Sequence, residues 1–294
     1  HLIPVRDADY KFGESQMRRI IAGLMLRKPI CLIGPMGCGK STVFEQFNAL
    51  LRQPAVRIQA TAAMDTDYLF SSTILSEVNG TTVTRQQDGQ LVGTRKNNVN
   101  IMIDEFTHFN EHISSDLNTF LEMTSDVRIT SNGFSLEGNS NQVVKATKFQ
   151  DVWLSSNTGG RSDSNGYHGN SELNASTMDR LLMIDVDYMN EKDEVKVFEN
   201  KLGVNNWIGD TVKFMNLVRD CYKQGGITKS LSTRSGLDFL AYTALVGDVS
   251  VAFCDTILAK FEPEERQDVV AFFKTSMDID LKVPEILMPQ SMFE

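Results

Sequence analysis

Pro29-Ile-Cys-Leu-Ile-Gly-Pro-Met-Gly-Cys-Gly-Lys-Ser-Thr42 is the stretch on which the reading of this chain turns. Its first five residues form a short apolar run of the length expected for a buried strand. Gly34 to Ser41 satisfy the spacing G-x-x-x-x-G-K-[ST], and residues 43–51 beyond Thr42 carry a helical pattern. Strand, glycine-rich turn and helix in that order make an anion cradle. Glycines let the backbone curl until several N–H groups point at one anion. The helix start adds its dipole and its unpaired donors. Lys40 is placed to reach the β- and γ-phosphates, and the Ser41 hydroxyl to ligate Mg²⁺. Gly34, Pro35, Met36, Gly37, Cys38, Gly39, Lys40, Ser41 and Thr42 are therefore the expected nucleotide-binding stretch.

Before this stretch, Met17, Ile20, Ile21, Leu24 and Met25 draw one apolar stripe on a helix over 14–27. After it, Val56-Arg-Ile58 reads as a strand. Residues 74–86 read as a hairpin turning at Asn79-Gly80. Residues 128–148 read as a second hairpin, with Asn132-Gly133 and Gly138-Asn139 as turn candidates. Val99-Asn-Ile-Met-Ile103 is a strand that runs into Asp104-Glu105, followed by a helix over 112–123. Val152-Trp-Leu154 is a strand that ends at Ser155-Ser-Asn157. A polar, glycine-rich loop over 159–170, a helix over 171–182 and a strand over 183–186 complete an α/β domain. From about Glu191 onward the periodicity is helical, which places a boundary there: an α/β domain over 1–190 and a smaller helical domain over 191–294.

The acid pair gives the second chemical signal. A strand end presents Asp104 to the metal, often through water, and lets Glu105 orient and polarise an attacking water. An amide at Asn157, also on a strand end, suits holding that water against the γ-phosphate. Arg180 in Met-Asp-Arg-Leu and Arg234 in Leu-Ser-Thr-Arg-Ser are guanidinium candidates for the charge that builds up in phosphoryl transfer. His108 and His112 are four apart, but no third ligand accompanies them, so a polar helix surface is the better reading. Arg85, Arg95 and Lys96 suit either a basic pore or interface patch or a solvated face, and the solvated face is the better reading.

Composition bounds the rest. With 294 residues there is room for about two domains. The 41% apolar and 23% charged content is that of a globular chain and not of a disordered one. The net charge of −9 disfavours a protein held on DNA by its overall field. No apolar run approaches the length of a membrane span, and no basic leader precedes an apolar stretch. Cys31, Cys38, Cys221 and Cys254 lack C-x-x-C spacing, which fits a reducing cytoplasm better than a disulfide framework or a zinc site.

Taken together, the motifs resemble an AAA+ ATPase, and more closely the cobaltochelatase small-subunit (CobS-type) family, related to the MoxR and magnesium-chelatase ATPases. The resemblance is carried by Ile3-Pro4, Tyr10-Lys-Phe12, Gly37-Cys-Gly-Lys-Ser-Thr42, Glu45-Gln46, Asp88-Gly-Gln-Leu91 and Asp104-Glu-Phe106. It continues through Asn157-Thr-Gly159, Gly166-Tyr-His-Gly169, Met178-Asp-Arg180 and Leu231-Ser-Thr-Arg234. It implies a P-loop AAA+ three-layer αβα core with a parallel sheet, two β-hairpin insertions and a following α-helical lid. It also implies that Asn157 is the sensor-1 residue and that Arg180 is the arginine finger offered to a neighbour's nucleotide. Arg234 becomes sensor 2, serving its own or an adjacent subunit, and Tyr10 and Phe12 flank the adenine. The expected function is that of an ATP- and Mg²⁺-dependent motor in the cytoplasm. It would form a homo-oligomeric ring, a hexamer by resemblance, and act on a partner with a von Willebrand-type metal-binding domain. The alternatives are a nucleotide-dependent scaffold with little turnover and a nucleic-acid-stimulated motor.

Overall fold

The computed structural model describes residues 2–78, 80–124, 126–128, 143–145, 147–157, 175–284 and 287. Asn79, both turn candidates of the second hairpin, the loop over 159–170 with His168, and positions 171–174 lie outside the described residues. By their contacts the residues form two compact units, His1–Gly34 with Lys40–Val186, and Pro35–Gly39 with Asp187–Glu294.

The first unit opens with α1 (Glu14–Met25), β1 (Ile30–Ile33), α2 (Lys40–Leu51), β2 (Ala55–Gln59) and α3 (Thr66–Leu69). There follow the hairpin β3 (Ser71–Val78) and β4 (Thr81–Asp88), α4 (Gln90–Lys96), β5 (Asn100–Asp104) and α5 (Glu111–Leu121). The short pair β6 (Val127–Arg128) and β7 (Val143–Val144), then β8 (Val152–Ser156), α6 (Ala175–Arg180) and β9 (Leu182–Asp185), complete it. Five strands make one sheet in the order β2-β5-β8-β1-β9, and every pairing in it is parallel. Parallel strands are covered on both faces, so they read as unbroken apolar runs and not as alternations. Accordingly every residue of β5 and β8 is buried. Trp153 of β8 meets Phe44 and Phe47 of α2 at centroid distances of 5.6 and 5.4 Å.

Register aligns the strand ends. Leu32 and Ile33 of β1 face Ser155 and Ser156 of β8, and Gln59 of β2 faces Asp104 of β5. The residues that follow these ends, Gly34, Glu105 and Asn157, therefore emerge side by side at the carboxyl edge, where open α/β sheets bind ligands.

The hairpin pairs Val78 with Thr81, which leaves two residues in its turn, and Gly80 there has φ +76. Its base is closed by Gly89 N–H donating to the Phe70 carbonyl at 2.8 Å. A Cβ on Gly89 would fall 2.4 Å from the Leu69 carbonyl carbon, so that position admits no side chain.

Two sequence expectations are corrected here. Arg95 is not on a solvated face but buried, its guanidinium 4.0 Å over the Phe120 ring and donating to the Phe120 carbonyl and to Gln150. Burial, with Arg27 nearby, brings its pKa down to about 10. Lys96 next to it does pair with a surface group, Asp88. His108 lies in a 3-10 turn, Phe106–His108, while His112 belongs to α5, so the two do not share one helix.

The second unit is helical: α7 (Glu191–Leu202), α8 (Trp207–Lys223), α9 (Thr233–Val246), α10 (Val249–Thr256) and α11 (Arg266–Met277). At the centre of its core Phe253 and Phe273 contact each other, and each contacts Phe214 and Phe239, at centroid distances from 4.4 to 6.4 Å.

Candidate nucleotide site

The first unit brings Lys40, Ser41, Asp104, Glu105 and Asn157 into one hydrogen-bonded cluster. β1 lies directly beside β8, so Gly34 N–H reaches the Ser156 carbonyl at 3.2 Å. This places Asn157 over the start of α2. Lys40 Nζ donates to the Gly34 carbonyl at 2.8 Å and to Asn157 Oδ1 at 2.7 Å. Asn157 Nδ2 in turn donates to Glu105 Oε1 at 2.8 Å. A line of contacts thus runs from the ammonium through the amide to the carboxylate.

Asp104 is fixed from two sides. Ser41 Oγ donates to its Oδ2 at 2.9 Å, and Ser155 Oγ donates to its Oδ1. The Ser155 hydroxyl also accepts from the backbone N–H of Glu105 at 3.0 Å. One serine therefore orients both acids. The Arg57 guanidinium stands between Asp104 at 3.8 Å and Glu45 at 3.5 Å. The sequence reading found neither Ser155 nor Arg57. Ser155 had a signal, a second polar residue just before the strand-end asparagine; Arg57 had only its place between two apolar strand residues.

Glu105 adopts φ +53, in the left-handed region, and starts the 3-10 turn. Its Oε2 is buried and has no hydrogen-bond partner among the described residues. Burial raises its pKa above the usual carboxylate range, and Lys40 opposes that rise. A carboxylate that is desolvated, strained and unpaired at one oxygen is a good acceptor for a water proton. The hard oxygens of Ser41 and Asp104 suit Mg²⁺, which takes one or two protein oxygens and completes its shell from phosphates and water. Among the described residues no group of three His, Cys, Asp or Glu side chains is placed to hold a metal without such help.

Arg180 ends α6, where it pairs with Glu122 at 2.7 Å and donates to the Ser176 carbonyl at 2.6 Å. Arg234 is exposed at the start of α9 in the second unit. Tyr10 packs edge-on to Phe12, and Phe12 to Phe47 of α2. Residues 35–39 crown the loop with Gly37 at φ +73 and Gly39 at φ +96, conformations that glycine adopts at no steric cost.

A glycine-rich loop before a helix, a serine–aspartate pair and a strand-end glutamate at the carboxyl edge of a parallel sheet define a P-loop nucleotide-binding protein. Residues 29–181 match the family AAA domain (dynein-related subfamily), and the chain belongs to that family. Along nearly its whole length it is also similar to the aerobic cobaltochelatase subunit CobS of a Sinorhizobium species, 24% identical over 288 residues, 95% of this chain and 84% of that protein. An uncharacterized protein of Staphylococcus saprophyticus is 26% identical over 251 residues, 84% of this chain and 89% of that protein. An uncharacterized protein of Staphylococcus aureus is 25% identical over 266 residues, 89% of this chain and 95% of that protein. Among the described residues no helix is long and apolar enough to cross a membrane.

Proposed function

We propose that this chain is an ATP-hydrolysing AAA+ motor subunit of the CobS/MoxR type. The observation that carries the reading is the contact line Lys40–Asn157–Glu105 beside the Ser41–Asp104 pair. Lys40 and the loop N–H groups hold the phosphates. Ser41 and Asp104 hold Mg²⁺, which when bound offsets phosphate charge. Glu105 takes the proton of the attacking water, and Asn157, already bonded to Glu105, orients that water. A bound γ-phosphate competes with Asn157 for Lys40, so occupancy frees the amide for this task. Arg180 supplies transition-state charge to a neighbour's site, and Arg234 senses the γ-phosphate.

Assembly into a ring, a hexamer by resemblance, and action on a partner protein in the cytoplasm complete the proposal. The similarity to a chelatase subunit suggests a partner with a von Willebrand-type metal-binding domain, and metal insertion itself would fall to that partner. The test is phosphate release with Mg²⁺ and ATP. Lys40→Ala is expected to lose nucleotide binding. Glu105→Gln is expected to bind ATP and to release phosphate at least ~100-fold more slowly than wild type, the scale of general-base catalysis. Negligible release by wild type, no faster than by Glu105→Gln, would overturn the hydrolytic reading and leave a nucleotide-dependent scaffold, while equal and substantial release by both would remove Glu105 as the base.

A further inference from the structure

Glu194 of α7 and Arg219 of α8 form a buried ion pair whose side chains are 0% and 3% exposed. Such a pair is weak evidence for stability, since apolar residues of the same volume serve as well. What it holds is more telling. Arg219 Nη1 donates to Glu194 Oε2 at 2.6 Å and to Asn216 Oδ1 at 3.1 Å, and Nη2 donates to Glu194 Oε1 at 2.8 Å. Its Nε donates to the Leu231 carbonyl at 2.9 Å. Glu194 Oε1 also accepts from Thr233 Oγ1 at 2.7 Å. The pair thus grips the residues on either side of Ser232, the N-cap of α9, and Arg234 comes next in the chain.

The flat face of the same guanidinium lies 4.0 Å from the centroid of the Tyr188 ring. The Tyr188 hydroxyl donates to the Met36 carbonyl, in the phosphate loop, at 2.9 Å. Ser232 meets the loop as well: a Cβ on Gly37 would fall 2.2 Å from Ser232 Cβ. Loop residues 35–39 and all these partners belong to the second compact unit.

We propose that Glu194, Arg219 and Tyr188 are positioning residues that set the crown of the phosphate loop and the Arg234-bearing start of α9 in one shared geometry. The proposal rests on the reading of residues 34–42 as a nucleotide site. A loop with two left-handed glycines loses conformational freedom when it closes on phosphate, and the Tyr188 bond removes part of that cost in advance. The planar fork of Arg219 bonds a carboxylate and a carbonyl while presenting a face to a ring; a lysine cannot do all three.

The test measures binding of fluorescent ADP and ATP analogues to the full chain. Tyr188→Phe keeps the ring and removes the hydroxyl. It is expected to weaken both nucleotides about threefold to tenfold, the worth of one neutral hydrogen bond, with the thermal midpoint moving by less than ~3 °C. Thr233→Val is expected to leave ADP binding within about twofold and to lower the preference for ATP over ADP about threefold, while Thr233→Ser retains it. A merely structural role would move the thermal midpoint and not that preference. Wild-type affinities in Tyr188→Phe, or a wild-type preference in Thr233→Val, would overturn the relay. A wild-type chain that binds neither nucleotide would instead overturn the phosphate-loop reading on which the relay rests.

Discussion

At Glu105 a strained backbone and an unsatisfied carboxylate oxygen coincide. A non-glycine residue held in the left-handed region costs about 1–3 kcal/mol, and such outliers persist where the surroundings impose them. Here the imposing contact is Ser155, which accepts the Glu105 N–H while donating to Asp104. The raised pKa of Glu105, due first to burial, has a definite sign for stability. Between its ordinary value and its raised value the folded chain binds more protons than the unfolded one, so stability falls as pH rises through that window. Glu105→Gln removes the penalty and keeps the oxygen that accepts from Asn157. The variant is expected to melt higher than wild type at neutral pH, with the gap closing as pH drops through the carboxylate range. Melting curves at several pH values check this; a gap independent of pH would count against desolvation as the cause. Asp104 and Glu105 were legible as a strand-end pair. Ser155 had only the weak signal of a second polar residue ahead of the strand-end asparagine, because a serine in a buried strand has no local pattern that distinguishes a hydrogen-bonding bridge from ordinary filling.

Among elements, the amino-terminal segment is tied to α2 through one polar side chain. Gln46 of α2 accepts from Asp7 N–H at 2.8 Å and donates to the Val5 carbonyl at 3.1 Å, which straps the segment to the helix. Tyr10 and Phe12 follow, with Phe12 against Phe47. Gln46→Ala removes both bonds. At about 1 kcal/mol per neutral hydrogen bond, it is expected to cost about 2 kcal/mol and to open residues 2–12 to limited proteolysis. Chemical denaturation and a protease time course check this; a segment that stays protected would assign its anchoring to the aromatic contacts and to the Ala55 N–H that donates to the Leu2 carbonyl at 3.0 Å. The strands β1, β5 and β8 and the helices α1 and α2 were readable, since apolar runs and helical stripes are local signals. Arg95 was misread because charge predicts exposure on average. Only the packing of α4 against Phe120 and Gln150 shows where this arginine goes.

For the molecule as a whole, the proposed ring makes a demand that one chain cannot meet. Arg180, at the end of α6, is held by Glu122 and by the Ser176 carbonyl. If it serves a neighbour, Arg180→Ala retains ATP binding and loses turnover. Mixing it with Lys40→Ala, which keeps Arg180 but lacks a working loop, is then expected to restore phosphate release that neither variant shows alone. A mixture as inactive as its parts would remove the finger assignment.

The order strand, phosphate loop, helix, acid pair and helical remainder was written in the chain. Burial of parallel strands and the curl of a glycine loop depend on residues adjacent in sequence. The partnerships were not. Ser155 with Asp104, Arg57 with Asp104, and Tyr188 with Met36 arise only when parallel register and helix packing bring distant positions within hydrogen-bond or ion-pair reach. A polar side chain has no partner until the fold supplies one, so the tertiary structure alone decided which of these residues meet.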